Sequence, residues 1–525
     1  MKFIQVIALL KPAILFALAL TLLTACGKDA PATPVPATAT PAPTATAAPS
    51  PTPFVIEPGH DPGQTMYALM DAGMPGPSSV GPSPHDRLRQ ALASATRNRD
   101  TSQAPVLVEL LRLVPSQQFR EDITAALLVL TGLEAGAAPA GWLEWEEWLG
   151  LNLVDYLPPK GYGAWKAELY WRLDPALGDL LVGMEETARI DLTELLWSGA
   201  RLGDVAPLDS PRSVPASAAR FMLPTDRVIG VSIDGEHRAY PLRIMAAHEA
   251  ANDELADERI AVAYCPLCGS GNVFSANLNR SDLEFGSAAL VYRSSSLLYD
   301  HATRTVWSQL TGEAVIGPLA VEREVLRRYP SVMTTWAEWM GEHPDTTVLD
   351  IDTGLAPPEA YPPGPRTDSI YYGYVESESL LFPVWNRSAA LPLKEMVFVV
   401  REEDQLGVAY KAYPLSVMRR KRIVNDRIGQ TDYIVVASAN TDSVKVYERR
   451  GRYFTITGSV AFSGGFPTEL IDRTSGARWT IGEDAMVRVD DPGKNVDRLP
   501  GVTSYWFAWH TIHPDTRVYT FDEGG

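Results

Sequence analysis

The sequence predicts a mixed α+β protein: a small helical, HEAT-like region followed by two tandem copies of a β-rich mixed domain packed pseudo-symmetrically. Three observations predict it. Residues 84 to 182 place apolar side chains at helical spacing, with capping residues ahead of them and a glycine at one end. From about residue 183 the texture changes to short β-branched runs broken by Asp-Gly and Gly-rich turns. That second texture then repeats. "AYPL" at 239 returns at 412, and Asn252-Asp253 returns as Asn425-Asp426, both shifted by 173. "DHATRTVW" from Asp300 returns as "DRTSGARW" from Asp472, shifted by 172, and "HPDT" at 343 returns at 513, shifted by 170.

Residues 1–25 predict a lipoprotein signal peptide. Lys2 and Lys11 flank the start of "AILFALALTLL", an apolar core shorter than the roughly 20 residues of a membrane-spanning helix. The tetrapeptide "LTAC" resembles the bacterial lipobox, which makes Cys26 the lipid attachment point and the membrane a partner. Residues 26–56 predict a tether, rich in Pro, Ala and Thr and unable to form a core. The folded part is therefore expected outside the cytoplasmic membrane, where free thiols meet oxidising conditions. A net charge of −18 with a pI near 5.0 and no basic stripe argues against a nucleic-acid partner.

In the helical region, 57–182, "PHDRLRQALASA", "APVLVELLRLV" and "QQFREDITAALLVLTG" read as helices, the last capped by Ser116 and ended by Gly132. Trp142, Trp145 and Trp148 lie three apart and are expected to pack into a core. This region is the expected contact for a protein partner. Repeat 1 spans 183–355 and holds Cys265 and Cys268; its Asp234-Gly235 is a hairpin signal. A Pro-rich connector, 356–385, precedes repeat 2, 386–525, which has no cysteine.

Within one chain, positions kept in both copies read as scaffold and positions kept in one read as a site. The "AYPL" turn, Asn-Asp, the Asp-to-Trp spacing and His343/His513 are kept and read as structural. His248 and Glu249 become Lys421 and Arg422, the cysteines align with Ser438 and Thr441, and His301 aligns with Arg473. The reactive groups vanish together, as the loss of a single site would require.

Cys265-Pro266-Leu267-Cys268-Gly269 supports three readings. As a metal knuckle it offers two thiolates, with His248 as the first further ligand and Glu249, Asp300 and His301 as secondary candidates; that donor set suits zinc or copper. As a redox pair it makes Cys265 and Cys268 the working thiols of an oxidoreductase, although "GSGNVF" reads as a turn and strand where a thioredoxin-like motif opens a helix. As a staple it is a permanent disulfide in an oxidising compartment. Asn252 stands where an H-E-x-x-H zinc peptidase needs its second histidine, which disfavours a protease. No Gly-x-Ser-x-Gly elbow, phosphate loop or dinucleotide fingerprint occurs.

"AYPLRIMAAHEAANDEL", "VAYCPLCGSGNVF", "YDHATRTVWSQLTGEAVIGPLA" and "EHPDTTVL" resemble the signature blocks of the exported bacterial and archaeal family known as domain of unknown function 3179. The resemblance covers residues 186 to 350 strongly and the second copy faintly. It implies export, often as a lipoprotein, and carries no activity. Ala247 and Val321 depart from its usual Trp and Gly.

Overall fold

The computed structural model describes residues 60–74, 83–279, 281–363, 371–404, 407–456 and 465–521. The expected signal peptide, Cys26 and the tether lie outside the described residues. The chain is mixed α and β. Among the described residues, the α-helices from Pro62–Gly73 to Met184–Thr187 precede the first strand, Leu195–Trp197. Their ends follow local chemistry. Asp61 accepts from the N–H groups of Gly63 and Gln64, Ser83 from Asp86, and Ser116 from Phe119. Gly132, at φ 70°, closes the helix Gln117–Thr131 in a conformation that carries no side-chain penalty for glycine.

The helices bury one shared apolar face against the sheet that begins at Leu195. Leu107, Leu110, Leu127, Trp165 and Leu169 share a core with Leu195, Leu290, Leu297 and Val306. Trp145 is buried and meets Trp148 edge-on at 5.7 Å, while the Arg112 guanidinium lies 4.7 Å from the Trp142 ring, so the tryptophans pack as expected. Inside this core Lys166 Nζ and Glu109 form a fully buried ion pair at 2.8 Å. Tyr170 donates to Glu109 at 3.0 Å and accepts from the Trp197 N–H at 3.1 Å, and Lys166 donates to Leu192 O at 2.8 Å. This polar knot ties the helices to the first strand.

Antiparallel strands dominate the rest. One sheet runs Leu195–Trp197, Phe285–Tyr292, Ser295–Asp300, Val306–Ser308 and Ala314–Ile316. A second runs Arg328–Tyr329, Ser270–Ser275, Glu258–Cys265, Ala250–Leu255 and Leu208–Asp209. The third holds the Arg227–Ile233/Glu236–Pro241 hairpin, whose two-residue turn Asp234-Gly235 has φ of 46° and 82°, as a type I′ turn demands. It is followed by the short helix Leu242–His248, and Thr347–Leu349 pairs in parallel with the second hairpin strand.

Beyond residue 386, Met396–Asp404 and Gly407–Pro414 form a hairpin, followed by the helix Leu415–Lys421, with Arg517–Val518 parallel to the second strand. An eight-stranded sheet begins at Ile423–Ile428. The connector is more than a spacer. Tyr361 is completely buried, and Tyr374, Leu380, Phe382 and Val384 enter the core that holds the cysteines, because aromatic and branched side chains interrupt its prolines. Among the described residues no helix is long and apolar enough to cross a membrane.

Candidate functional site

The strand Glu258–Cys265 delivers Cys265 to its end, and the turn carries Cys268 back beneath it before the strand Ser270–Ser275 begins. The two cysteines are joined as a disulfide, with 5.5 Å between their Cα atoms and no exposure at either residue. Two backbone N–H groups aim at Cys265 Sγ: that of Cys268 at 3.2 Å and that of Ser296 at 3.5 Å. Gln309 Oε1 lies 3.8 Å from Cys268 Sγ.

Residues from far along the chain cover the turn. The Tyr505 N–H donates to Cys268 O at 2.8 Å, and the Tyr374 hydroxyl to Leu267 O at 2.7 Å. Gly269 has φ 62°, and a Cβ there would meet the Tyr505 ring at 2.8 Å. Left-handed backbone and close approach both require glycine. Gly269→Ala is accordingly expected to cost about 1–3 kcal/mol in urea denaturation, since strain and clash act together.

Glu249 follows the short helix at φ 59° and points its carboxylate to the Ser296 hydroxyl at 3.5 Å. Burial pushes its carboxyl above the ordinary range, partly offset by the Ser287 and Ser296 hydroxyls. Ser296 thus contacts both Glu249 and Cys265. Burial also raises the Tyr264 phenol to about 12.

His248 does not join the cysteines. Its Nδ1 donates to Ala206 O at 2.7 Å, and its Nε2 accepts from the Tyr361 hydroxyl at 2.6 Å, so both ring nitrogens are spent, one on a loop of repeat 1 and one on the connector. Burial lowers its pKa, which keeps the ring neutral in that role. Asp300 accepts from the Thr303 N–H at 2.6 Å and the Trp307 indole at 2.9 Å, which makes it a turn anchor. His301 is exposed and lies against Tyr299, with ring centroids 5.0 Å apart. The expected Cys/Cys/His ligand set is therefore not assembled: of the further candidates only Glu249 shares a neighbour with the sulfurs. Sequence spacing could not show that His248 turns toward Ala206 and Tyr361, since both partners are remote in the chain.

Among the described residues, the donor atoms of Glu342, His343 and Glu483 lie within 4.8 Å of one another. Lys445 Nζ already reaches Glu483 at 2.5 Å and Glu342 at 2.9 Å, and Arg498 pairs with Glu483. Two cations fill the place a metal would take, and this cluster is an ion-pair network.

Ser287, Ser296, Tyr374 and Tyr505 carry no motif in the sequence, whereas Gln309 lies inside the block "YDHATRTVWSQLTGEAVIGPLA". The family model described as "Protein of unknown function (DUF3179)" matches residues 204–516. No curated protein and no solved structure matches the chain.

Proposed function

The chain belongs to this family of unknown function, and from the site itself we propose that it is a lipid-anchored extracytoplasmic scaffold built from two copies of one domain, with Cys265–Cys268 as its staple. One observation carries the reading. Both sulfurs are completely buried in a core shared by repeat 1, the connector and repeat 2, including Tyr374, Phe382, Val502 and Trp506. A thiol substrate would need access that this core denies, and a metal would need further ligands that His248 and Asp300, spent on other partners, do not supply, whereas a staple needs neither.

Matched contacts support the duplication. Asn252 bridges both backbone groups of Phe285, and Asn425 does the same for Phe454. Tyr240 donates to Asp253 as Tyr413 does to Asp426. Trp339 and Trp509 each donate to a threonine, Thr346 and Thr516, at 2.9 Å. Even the degenerate turn keeps its geometry: the Thr441 N–H donates to Ser438 Oγ at 3.2 Å, as the Cys268 N–H does to Cys265 Sγ. The turns also dock reciprocally. Tyr505 of repeat 2 covers Cys268, while Glu338 of repeat 1 accepts from Ser438 at 3.2 Å.

The test is alkylation followed by mass measurement. The native protein is expected to take up no iodoacetamide at these positions, and two groups only after reduction in denaturant. Cys265→Ser with Cys268→Ser is expected to cost about 2 kcal/mol or more in urea denaturation, the loop-closure value for so short a ring plus lost packing. Stoichiometric zinc or copper in protein purified without chelator would sink the staple. A second reading, a thiol-disulfide oxidoreductase, draws on the two N–H groups aimed at Cys265 Sγ, which favour a thiolate there. Ready reduction of the native pair in a graded glutathione buffer would select it.

A further inference from the structure

Two crevices lie between the repeats, and the duplication proposed above makes them counterparts. At a shift of 170, Glu313, Arg328, Trp339, Glu342 and His343 correspond to Glu483, Arg498, Trp509, Ile512 and His513; at 173, His237 and Asn272 correspond to Tyr410 and Lys445. One crevice is plugged. Glu483 there meets Lys445, Arg498 and His343, and Arg498 reaches across to Ser331 O at 2.9 Å.

The other crevice is open, a cleft of about 510 Å³ lined from both repeats. The plug has been removed residue by residue. Asn272 replaces the lysine, Ile512 replaces Glu342, and Glu313 is exposed, accepting from Thr311 at 3.2 Å. Arg328 remains, yet among the described residues it has no carboxylate partner. It donates to Asn272 Oδ1 and, at 2.8 Å, to Leu310 O, with its guanidinium 4.9 Å from the Phe274 ring. Opposite it stand Arg401, whose Glu403 partner at 2.6 Å is exposed, and the aromatic wall of Tyr410, Trp509 and His513. Tyr410 lies 4.1 Å from the His513 ring and 5.4 Å edge-on from Trp509. Glu402, the remaining acid in the lining, is held by the Tyr433 and Thr431 hydroxyls.

We propose that this cleft is a binding site for a small organic acid, its carboxylate on Arg328 where the twin arginine holds Glu483 and its flat apolar body against Tyr410 and Trp509. The inference rests on the two-copy reading. The volume suits such a ligand, and the Arg328 guanidinium has N–H groups beyond the two given to Asn272 and Leu310 with which to hold a carboxylate, as Arg498 holds Glu483 while donating to Ser331 O. Burial, Arg401 and Arg293 hold His513 down to about 4, so an anion arriving beside Arg328 would raise it and give a local reporter.

The experiment titrates benzoate into the full chain while following the histidine ring resonances by NMR, with inorganic phosphate and acetate as comparisons. A saturable shift of His513 is expected, weakened ~10-fold or more in Arg328→Gln. Val325→Trp, a change at an exposed position of the lining, is expected to block the cleft without touching the core. No saturable shift in the unaltered protein overturns the proposal. So does a shift that persists in both variants, or equal affinity for phosphate and benzoate. None of these results touches the two-copy reading, which rests on the matched hydrogen bonds of Asn252 with Asn425, Tyr240 with Tyr413 and Trp339 with Trp509.

Discussion

Glu483→Gln is expected to destabilise the protein by about 3–5 kcal/mol at neutral pH, because it strips the carboxylate from buried Arg498 and leaves buried Lys445 with Glu342 alone. Lys445 and Arg498 side chains are 3% and 2% exposed, so neither can recover its hydration. Burial alone would raise the Glu483 carboxyl, but Lys445 and Arg498 more than reverse this and hold it well below the ordinary range. Its contribution is therefore present above the unfolded carboxylate pKa of about 4.3 and lost as pH falls toward the folded value. Urea denaturation at pH 7 and at stepwise lower pH measures both effects. The variant should lose stability at pH 7 and show a flatter acid limb. An unchanged midpoint would mean that water, not protein, surrounds this network.

Lys166→Met is expected to cost a similar amount, about 3–5 kcal/mol, by removing the cation paired with Glu109 and leaving it Tyr170 as its donor in the helical core. Lys166→Met combined with Glu109→Leu should recover much of the loss, since two apolar side chains of similar size need no pairing. A double variant as unstable as the single one would mean that Tyr170, deprived of Glu109, carries the energy. Nearby Glu146 sharpens the pH dependence. Burial, then the Glu109 carboxylate, pushes its carboxyl up to about 8. Because that shift is upward, the stability it confers is full below about 4.3 and lost as pH rises through about 8. Glu146→Gln should remove that decline, which runs between about pH 4.3 and 8, in a thermal melt series.

The signals legible in sequence were those written in short windows. Ser116 and Gly132 mark the ends of one helix because capping needs only neighbours three or four residues away. Asp234-Gly235 marks its hairpin because the turn's left-handed residues are local. The disulfide reading was available from the Cys-x-x-Cys spacing and the expected compartment, but so were the metal and redox readings, which use the same residues. Sequence could not choose among them, since burial of a sulfur depends on what folds over it.

What covers the sulfurs comes from far away: Ser296, Tyr374 and Tyr505 are 31, 109 and 240 residues beyond Cys265. His248 illustrates the same limit. Its distance from the cysteines along the chain is short, yet its ring belongs to Ala206 and Tyr361. Asp300 likewise spends its oxygens on Thr303 and Trp307, a use that its position beside His301 did not reveal.

The sequence by itself determined the family, the mixed α and β texture, and the recurrence of four short blocks, because composition, periodicity and spacing are properties of neighbours. Only the tertiary structure decided which reactive groups share a space. Side-chain direction and solvent access are settled where distant segments pack, and there the sulfurs were sealed in, the imidazole was turned to another partner, and a cleft was left open beside Arg328.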